Sequence, residues 1–210
     1  MAVMSPKLVY AVLGTDHREF NRLVLWLDAV ASREDGTAAT VFVQHGTSST
    51  PLVAHGAPFL DHDEHHQLLD SAAVIVTCGE PGVVMDAHRL GKTPICVPRD
   101  PARGEHSDRR QLRTAALLAS RGLVTLADAE PAFEEAVRRG LAVPGPTAGS
   151  GEPTVAGERA ALILLESLLD LQAKRSDSAL GAPSLQPMIP LQRRPAEWTP
   201  PASSHLDEQT

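Results

Sequence analysis

Apolar and polar positions alternate between two rhythms along this chain. Leu8–Leu13 (LVYAVL) is an unbroken apolar run of β-formers ending at Gly14-Thr15, the pattern of a strand buried on both faces and followed by a turn. From Glu19 to Ala31 the apolar residues Phe20, Leu23, Val24, Leu27 and Val30 recur at helical spacing, which predicts a helix with one face on a sheet. Ala39–Val43 reads as the next strand, stopping at Gln44-His45-Gly46-Thr47. Pro51–Leu60 is irregular, with a short strand expected near Leu52-Val53. The polar run Asp61–Gln67 leads into a brief helix at Leu68-Leu69. Ala73–Thr77 is a strand, and Pro81 opens a helix that runs to Gly91. A strand at Pro94–Val97, a helix at Leu112–Ser120, a strand at Leu123–Leu126 and a helix at Pro131–Arg139 complete the pattern.

Strands alternating with helices predict an α/β fold: an open parallel sheet with helices on both faces and right-handed crossovers. Pro144–Pro153 (PGPTAGSGEP) breaks the rhythm. We therefore expect a domain over residues 1–143, a linker over 144–157, a carboxyl-terminal helix over 158–173 and a Pro/Ser-rich tail over 174–210. The helix would show Ala161, Leu162, Leu165, Leu168 and Leu169 to the domain or to a partner. At 210 residues there is room for one full α/β domain with extensions.

Composition narrows the task. The net charge of -7, with dispersed basic residues, argues against nucleic acid as the partner. Cys78 and Cys96 stand alone at strand ends, which suits reduced thiols in a cytoplasmic protein. No apolar stretch is long enough to span a bilayer and the amino terminus has no signal-peptide pattern, so membrane contact is expected only through a partner or a surface patch.

The polar chemistry gathers in Val74–Gln111. A strand enters the loop Cys78-Gly79-Glu80-Pro81-Gly82, and the following helix turns free N–H groups toward that loop, where an anion such as a diphosphate can bind. Gly14-Thr15 offers a similar turn, or simply reverses the chain. Neither loop is a GxGxxG or GxxxxGK[ST] motif. Asp86, early in the helix, either accepts hydrogen bonds from two ribose hydroxyls or is a favourable helix-start charge. The loop Arg99–Gln111 carries Asp100, Arg103, Glu105, His106, Asp108 and Gln111, a mixture of donors and acceptors that suits a sugar ring or a solvated loop. Asp61–His66 (DHDEHH) matches no established metal-site spacing, and no metal or cofactor is expected.

Taken in order, these loops resemble the donor-binding, carboxyl-terminal domain of the family 28 glycosyltransferases, of which MurG is the type. The likeness is greatest to small single-domain relatives of the Alg13 and PssE type. It covers roughly residues 7–140 and rests on Gly14-Thr15 with Phe20-Asn21-Arg22-Leu23, Gln44-His45-Gly46, Cys78–Asp86, Gly91–Pro98 and Gly104–Gln111. The resemblance implies the Rossmann-like half of a two-domain (GT-B) glycosyltransferase and inverting transfer from a nucleoside diphosphate sugar, a UDP-sugar first among them. By the same token, Gly14, Thr15, Gly79 and Gly82 would hold the diphosphate, Asp86 the ribose, and Asp108 and Gln111 the sugar. Gln44, Gly46, Thr47, Cys78, Arg99, Glu105 and His106 complete the expected donor site. A base is expected near Gln44–Thr47; His17, His45 and His106 qualify by chemistry, and none is assigned.

The implied partner is an acceptor-binding, membrane-attached subunit of the PssD type, which would recruit the chain to the cytoplasmic face of the membrane. A homodimer is open to the chain alone. Four residues depart from the family pattern: Cys78 stands for its histidine, Glu80 for a small residue, Val83 for a hydroxyl residue, and Arg110 for the histidine before glutamine. An inactive, nucleotide-sugar-binding subunit of the same fold is the alternative.

Overall fold

The computed structural model describes residues 6–33 and 39–143. The linker, the carboxyl-terminal helix and the tail expected beyond residue 143 lie outside the described residues. Within them, β1 (Lys7–Val12), β2 (Ala39–Gln44), β3 (His55–Ala57), β4 (Val74–Thr77), β5 (Ile95–Cys96) and β6 (Thr125–Leu126) form one parallel sheet in the order β3-β2-β1-β4-β5-β6. The helices are α1 (Asn21–Ala31), α2 (His62–Ser71), α3 (Pro81–Arg89), α4 (Arg110–Ser120) and α5 (Glu130–Ala142). This is the doubly wound, Rossmann-like order, and its direction reverses between the adjacent strands β1 and β4.

The period of two along β1 decides which helices lie on which face. Val9 and Ala11 pack with Leu23, Leu27, Phe133 and Val137 of α1 and α5. Leu8, Tyr10 and Val12 pack with Leu68, Leu69, Val83 and Ala87 of α2 and α3. On that second side α4 joins through Ala115 and Leu118, which meet Val84 and Cys96. Both faces of the central strand are thus buried, and its near-continuous apolar sequence follows from that.

Two elements differ from the sequence reading. No strand forms at Leu52-Val53, because the Asp28 carboxylate on α1 accepts the backbone N–H groups of Leu52, Val53 and Ala54. Those amides are satisfied by a side chain, both side chains point outward (Leu52 is 89% exposed), and the strand forms three residues later as β3. Helix α2 also starts earlier than its apolar residues suggest. Asp61 and Glu64 make a reciprocal capping box, so the polar histidine run becomes the first turns of the helix.

Candidate functional site

The carboxyl ends of β1 and β4 stand at the strand-order reversal, where the two flanking loops diverge to opposite faces and leave a crevice. Two glycines make this edge. Gly14 (φ 83°) turns the chain after β1 and Gly79 (φ 98°) turns it after β4. The loop after β2 is pressed onto the first: a Cβ on Gly46 (φ 59°) would lie 2.5 Å from the Gly14 carbonyl oxygen. The Thr47 hydroxyl donates to the Asp16 carbonyl at 2.8 Å, which ties the same two loops together. Gly14, Thr15, Gly46, Thr47, Cys78 and Gly79 are therefore neighbours, although the sequence spreads them over 66 positions.

A cleft of about 560 Å³ opens from this edge on the side of α2 and α3. Gln44, Gly82 and Asp86 line it, with Val12, Leu60, Asp61, His62, His65, Glu80, Pro81 and Val83. Its walls are apolar at Val12, Leu60, Pro81 and Val83, and its charges are acidic; among the described residues lining it there is no lysine or arginine. Asp86 pairs with Arg89 one turn along at 2.7 Å. Tyr10 Oη lies 2.8 Å from His65 Nδ1 and donates to Gln44 Oε1 at 3.3 Å, and burial pushes the phenol strongly up. Burial also lowers the His65 pKa, helped by His66 and His62 and opposed by the charge of Asp86. His65 therefore favours its neutral form in this wall.

The opposite rim is built around Arg99, which is 1% exposed. Its guanidinium donates to the carbonyls of Leu13 (2.7 Å), Arg18 (2.6 Å) and Glu105 (3.2 Å) and lies 4.9 Å from the centre of the Phe20 ring. It therefore joins the loop after β1 to the loop after β5. Its own N–H donates to Gln111 Oε1 at 3.1 Å, while Gln111 Nε2 faces Cys78 Sγ at 3.8 Å. Both ends of the Gln111 amide are thereby held by protein groups.

The remaining loop residues form pairs of their own. Glu105 is buried and takes both Nε and Nη2 of Arg22 at 2.9 Å, on the wall of a separate cleft of about 370 Å³ with Arg18 and Arg103. Burial works against the charge of Asp108, but the backbone N–H and guanidinium of Arg110, with His106, outweigh it and hold the carboxyl below its usual range. His106 has Nδ1 3.0 Å from the Asp108 carbonyl and Nε2 3.5 Å from Asp16. His45 is turned inward, Nδ1 3.0 Å from the Ser48 carbonyl, and its pKa is lowered chiefly by burial. His17 is exposed beside Asp16 at 3.3 Å.

Cys78 and Cys96 are buried free thiols, each pushed up to about 12 by burial. The histidines of α2 make ring contacts with one another. Among the described residues, no group of three or more His, Cys, Asp or Glu is placed to hold a metal ion, and no helix is long and apolar enough to cross a membrane. His65 lines this cleft and the buried Tyr10 stands behind it, neither being among the expected donor-site residues, while Glu80 lines it from the loop read in the sequence as anion-binding. For Tyr10 the signal was the single polar side-chain atom in the otherwise apolar run Leu8–Leu13.

No protein-family model matches the chain, and no curated protein matches it. Solved structures with which it shares similarity include CalG4, the calicheamicin glycosyltransferase, at 17% identity and TM-score 0.45 over 83% of this chain and 43% of that one. The glycosyltransferase of kitacinnamycin aligns at 14% identity and TM-score 0.49, over 81% of this chain and 43% of its own. UDP-GlcNAc 2-epimerase from Neisseria meningitidis aligns at 14% identity and TM-score 0.42, over 79% and 44%. The chain spans less than half the length of each of these proteins.

Proposed function

We propose that this chain is the donor-binding subunit of an inverting glycosyltransferase. It binds a nucleoside diphosphate sugar, in the first instance a UDP-sugar, for transfer of a hexosyl unit to a lipid-linked or saccharide acceptor. The observation that carries the reading is one crevice onto which the Gly14 and Gly79 turns and the amino terminus of α3 converge, with the Asp86 carboxylate lining the adjoining cleft. Turn amides and a helix amino terminus suit a diphosphate, and a carboxylate suits a pair of ribose hydroxyls. The half-apolar cleft between α2 and α3 has room for the nucleoside.

Transfer needs a base to take the acceptor's proton as its oxygen bonds to the anomeric carbon, and positive dipoles to steady the departing diphosphate. The second need falls to the loops of this chain. For the first, His45 is turned inward and His106 is held between Asp16 and Asp108, which leaves His17 or a group on an acceptor-binding, membrane-attached partner. Asp108 engaged by Arg110 also favours a second reading, a subunit that binds the donor without turning it over.

Calorimetry of the full chain with UDP-, GDP- and dTDP-sugars tests the donor reading. Asp86→Asn should weaken the preferred nucleotide by about 1–3 kcal/mol with little change in melting temperature. Unchanged binding with lower stability would make Asp86 a helix-start charge only. Turnover on adding the partner subunit separates the active reading from the inactive one.

A further inference from the structure

The Gly14–Thr15 turn is shaped to receive an anion, and a carboxylate of the chain itself already lies in it. A Cβ on Gly14 would meet Glu80 Oε1 at 2.8 Å and Cys78 Sγ at 3.2 Å. The Thr15 backbone N–H on the same turn favours the charge of the Glu80 carboxylate. Glu80 is the residue before α3, yet its side chain caps no N–H of that helix. It reaches across the crevice from the β4 side to the β1 side instead. The charge of Arg99 also favours the carboxylate there, but the three carbonyls that Arg99 bonds keep its guanidinium from following an incoming ligand.

We propose that Glu80 is a built-in competitor for the donor's phosphate: its carboxylate occupies the Gly14–Thr15 turn, and a phosphate enters that turn only when the side chain swings into the cleft or loses its charge. The proposal rests on the donor-binding reading and adds the residue that tunes it. A phosphate and an ionised carboxylate at one turn repel each other, and the low local dielectric strengthens that repulsion. Glu80 therefore weakens every phosphate-bearing ligand and selects for those with further contacts along the cleft. Bare pyrophosphate bears the same penalty with nothing else to hold it.

Protonation acts in the same direction as displacement. Burial raises the Glu80 carboxyl against the pull of the Thr15 N–H and Arg99, so it is neutralised at a higher pH than an ordinary glutamate. Asp61, His62, His65 and Asp86 line the same cleft, and Cys78 Sγ approaches Gly14 from the β4 side. His65 also gains charge as pH falls, so the diagnostic quantity is the difference between wild type and a Glu80 variant.

The test compares full-length wild type, Glu80→Gln and Glu80→Ala by calorimetry with UDP-glucose and with pyrophosphate at about pH 8 and about pH 5.5, after thermal melts establish that each is folded. The alanine variant covers the case in which the glutamine amide oxygen takes the carboxylate's place in the turn. Both variants should bind each ligand about tenfold tighter than wild type at the higher pH, with the gap narrowing at the lower. Equal or weaker binding by both variants overturns the proposal and leaves the donor reading intact if UDP-glucose still binds. Tighter pyrophosphate without any UDP-glucose binding keeps the role of Glu80 and removes the donor reading. Binding of neither ligand by any of the proteins defeats both.

Discussion

Replacing Arg99 with methionine tests what holds the two rims of the crevice together. The side chain is buried, carries a full charge, and contacts no carboxylate directly; its partners are the carbonyls of Leu13, Arg18 and Glu105 and the face of Phe20. Methionine keeps the apolar stem and most of the volume, so cavity formation is a small part of the effect. The loss is the hydrogen bonds from a charged donor, about 1.5–3 kcal/mol each, with a further ~1 kcal/mol from the aromatic contact. Returning a buried guanidinium to water recovers several kcal/mol, so the sum is an overestimate. A net loss of about 3 kcal/mol is expected, equivalent to roughly 10 °C in melting temperature for a domain of this size. Urea unfolding followed by circular dichroism measures it directly. Arg99→Lys, which keeps the charge but not the fork, should fall between methionine and wild type. A loss below about 1 kcal/mol for the methionine variant would refute the strut, since it would mean the orphaned carbonyls find water without cost.

Three further outcomes follow from the same geometry. Gly46→Ala combines a left-handed backbone with a Cβ 2.5 Å from the Gly14 carbonyl and should cost about 1–3 kcal/mol in urea unfolding, with nucleotide binding weakened as the first turn shifts. Asp28→Ala removes the acceptor of three backbone N–H groups in the 52–54 loop and should cost about 2–3 kcal/mol, with faster amide exchange at Leu52, Val53 and Ala54. His45 prefers its neutral form when folded, so the unfolded chain binds more protons between the lowered native value and the ordinary 6.5. Stability should therefore fall as pH drops through that window, and His45→Gln should flatten that limb in urea titrations at a series of pH values.

The parts of the fold governed by local pattern were legible in the sequence: the apolar β1 run, the helical spacing of Leu23, Val24 and Leu27, and the proline that opens α3. β3 was displaced because a side chain distant in sequence, Asp28, decides where the 52–54 amides go. The early start of α2 was present as Asp61 and Glu64 at capping-box spacing, and the histidines between and after them masked it. At the crevice, the turning glycines announce themselves by residue type. Polar residues do not announce their direction. Arg99, Glu105 and Gln111 have the composition of a binding loop, yet they face Leu13, Arg22 and Cys78. Glu80 stood out by type alone; that it crosses to the Gly14 turn depends on the strand-order reversal, which no local window contains.

The two cysteines give the molecule an internal clock. Cys78 approaches Gly14 under the crevice, while Cys96 lies one strand over, its sulfur 3.1 Å from where a Cβ on Gly79 would be. With both thiols raised to about 12, almost no thiolate exists at neutral pH, and burial bars reagents from either sulfur. Alkylation must therefore wait for an opening, and its rate counts how often one occurs. If the two sulfurs react in step, the sheet opens as a unit. If Cys78 reacts first, the edge between the Gly14 and Gly79 turns breathes by itself, and a ligand bound there would slow that thiol alone.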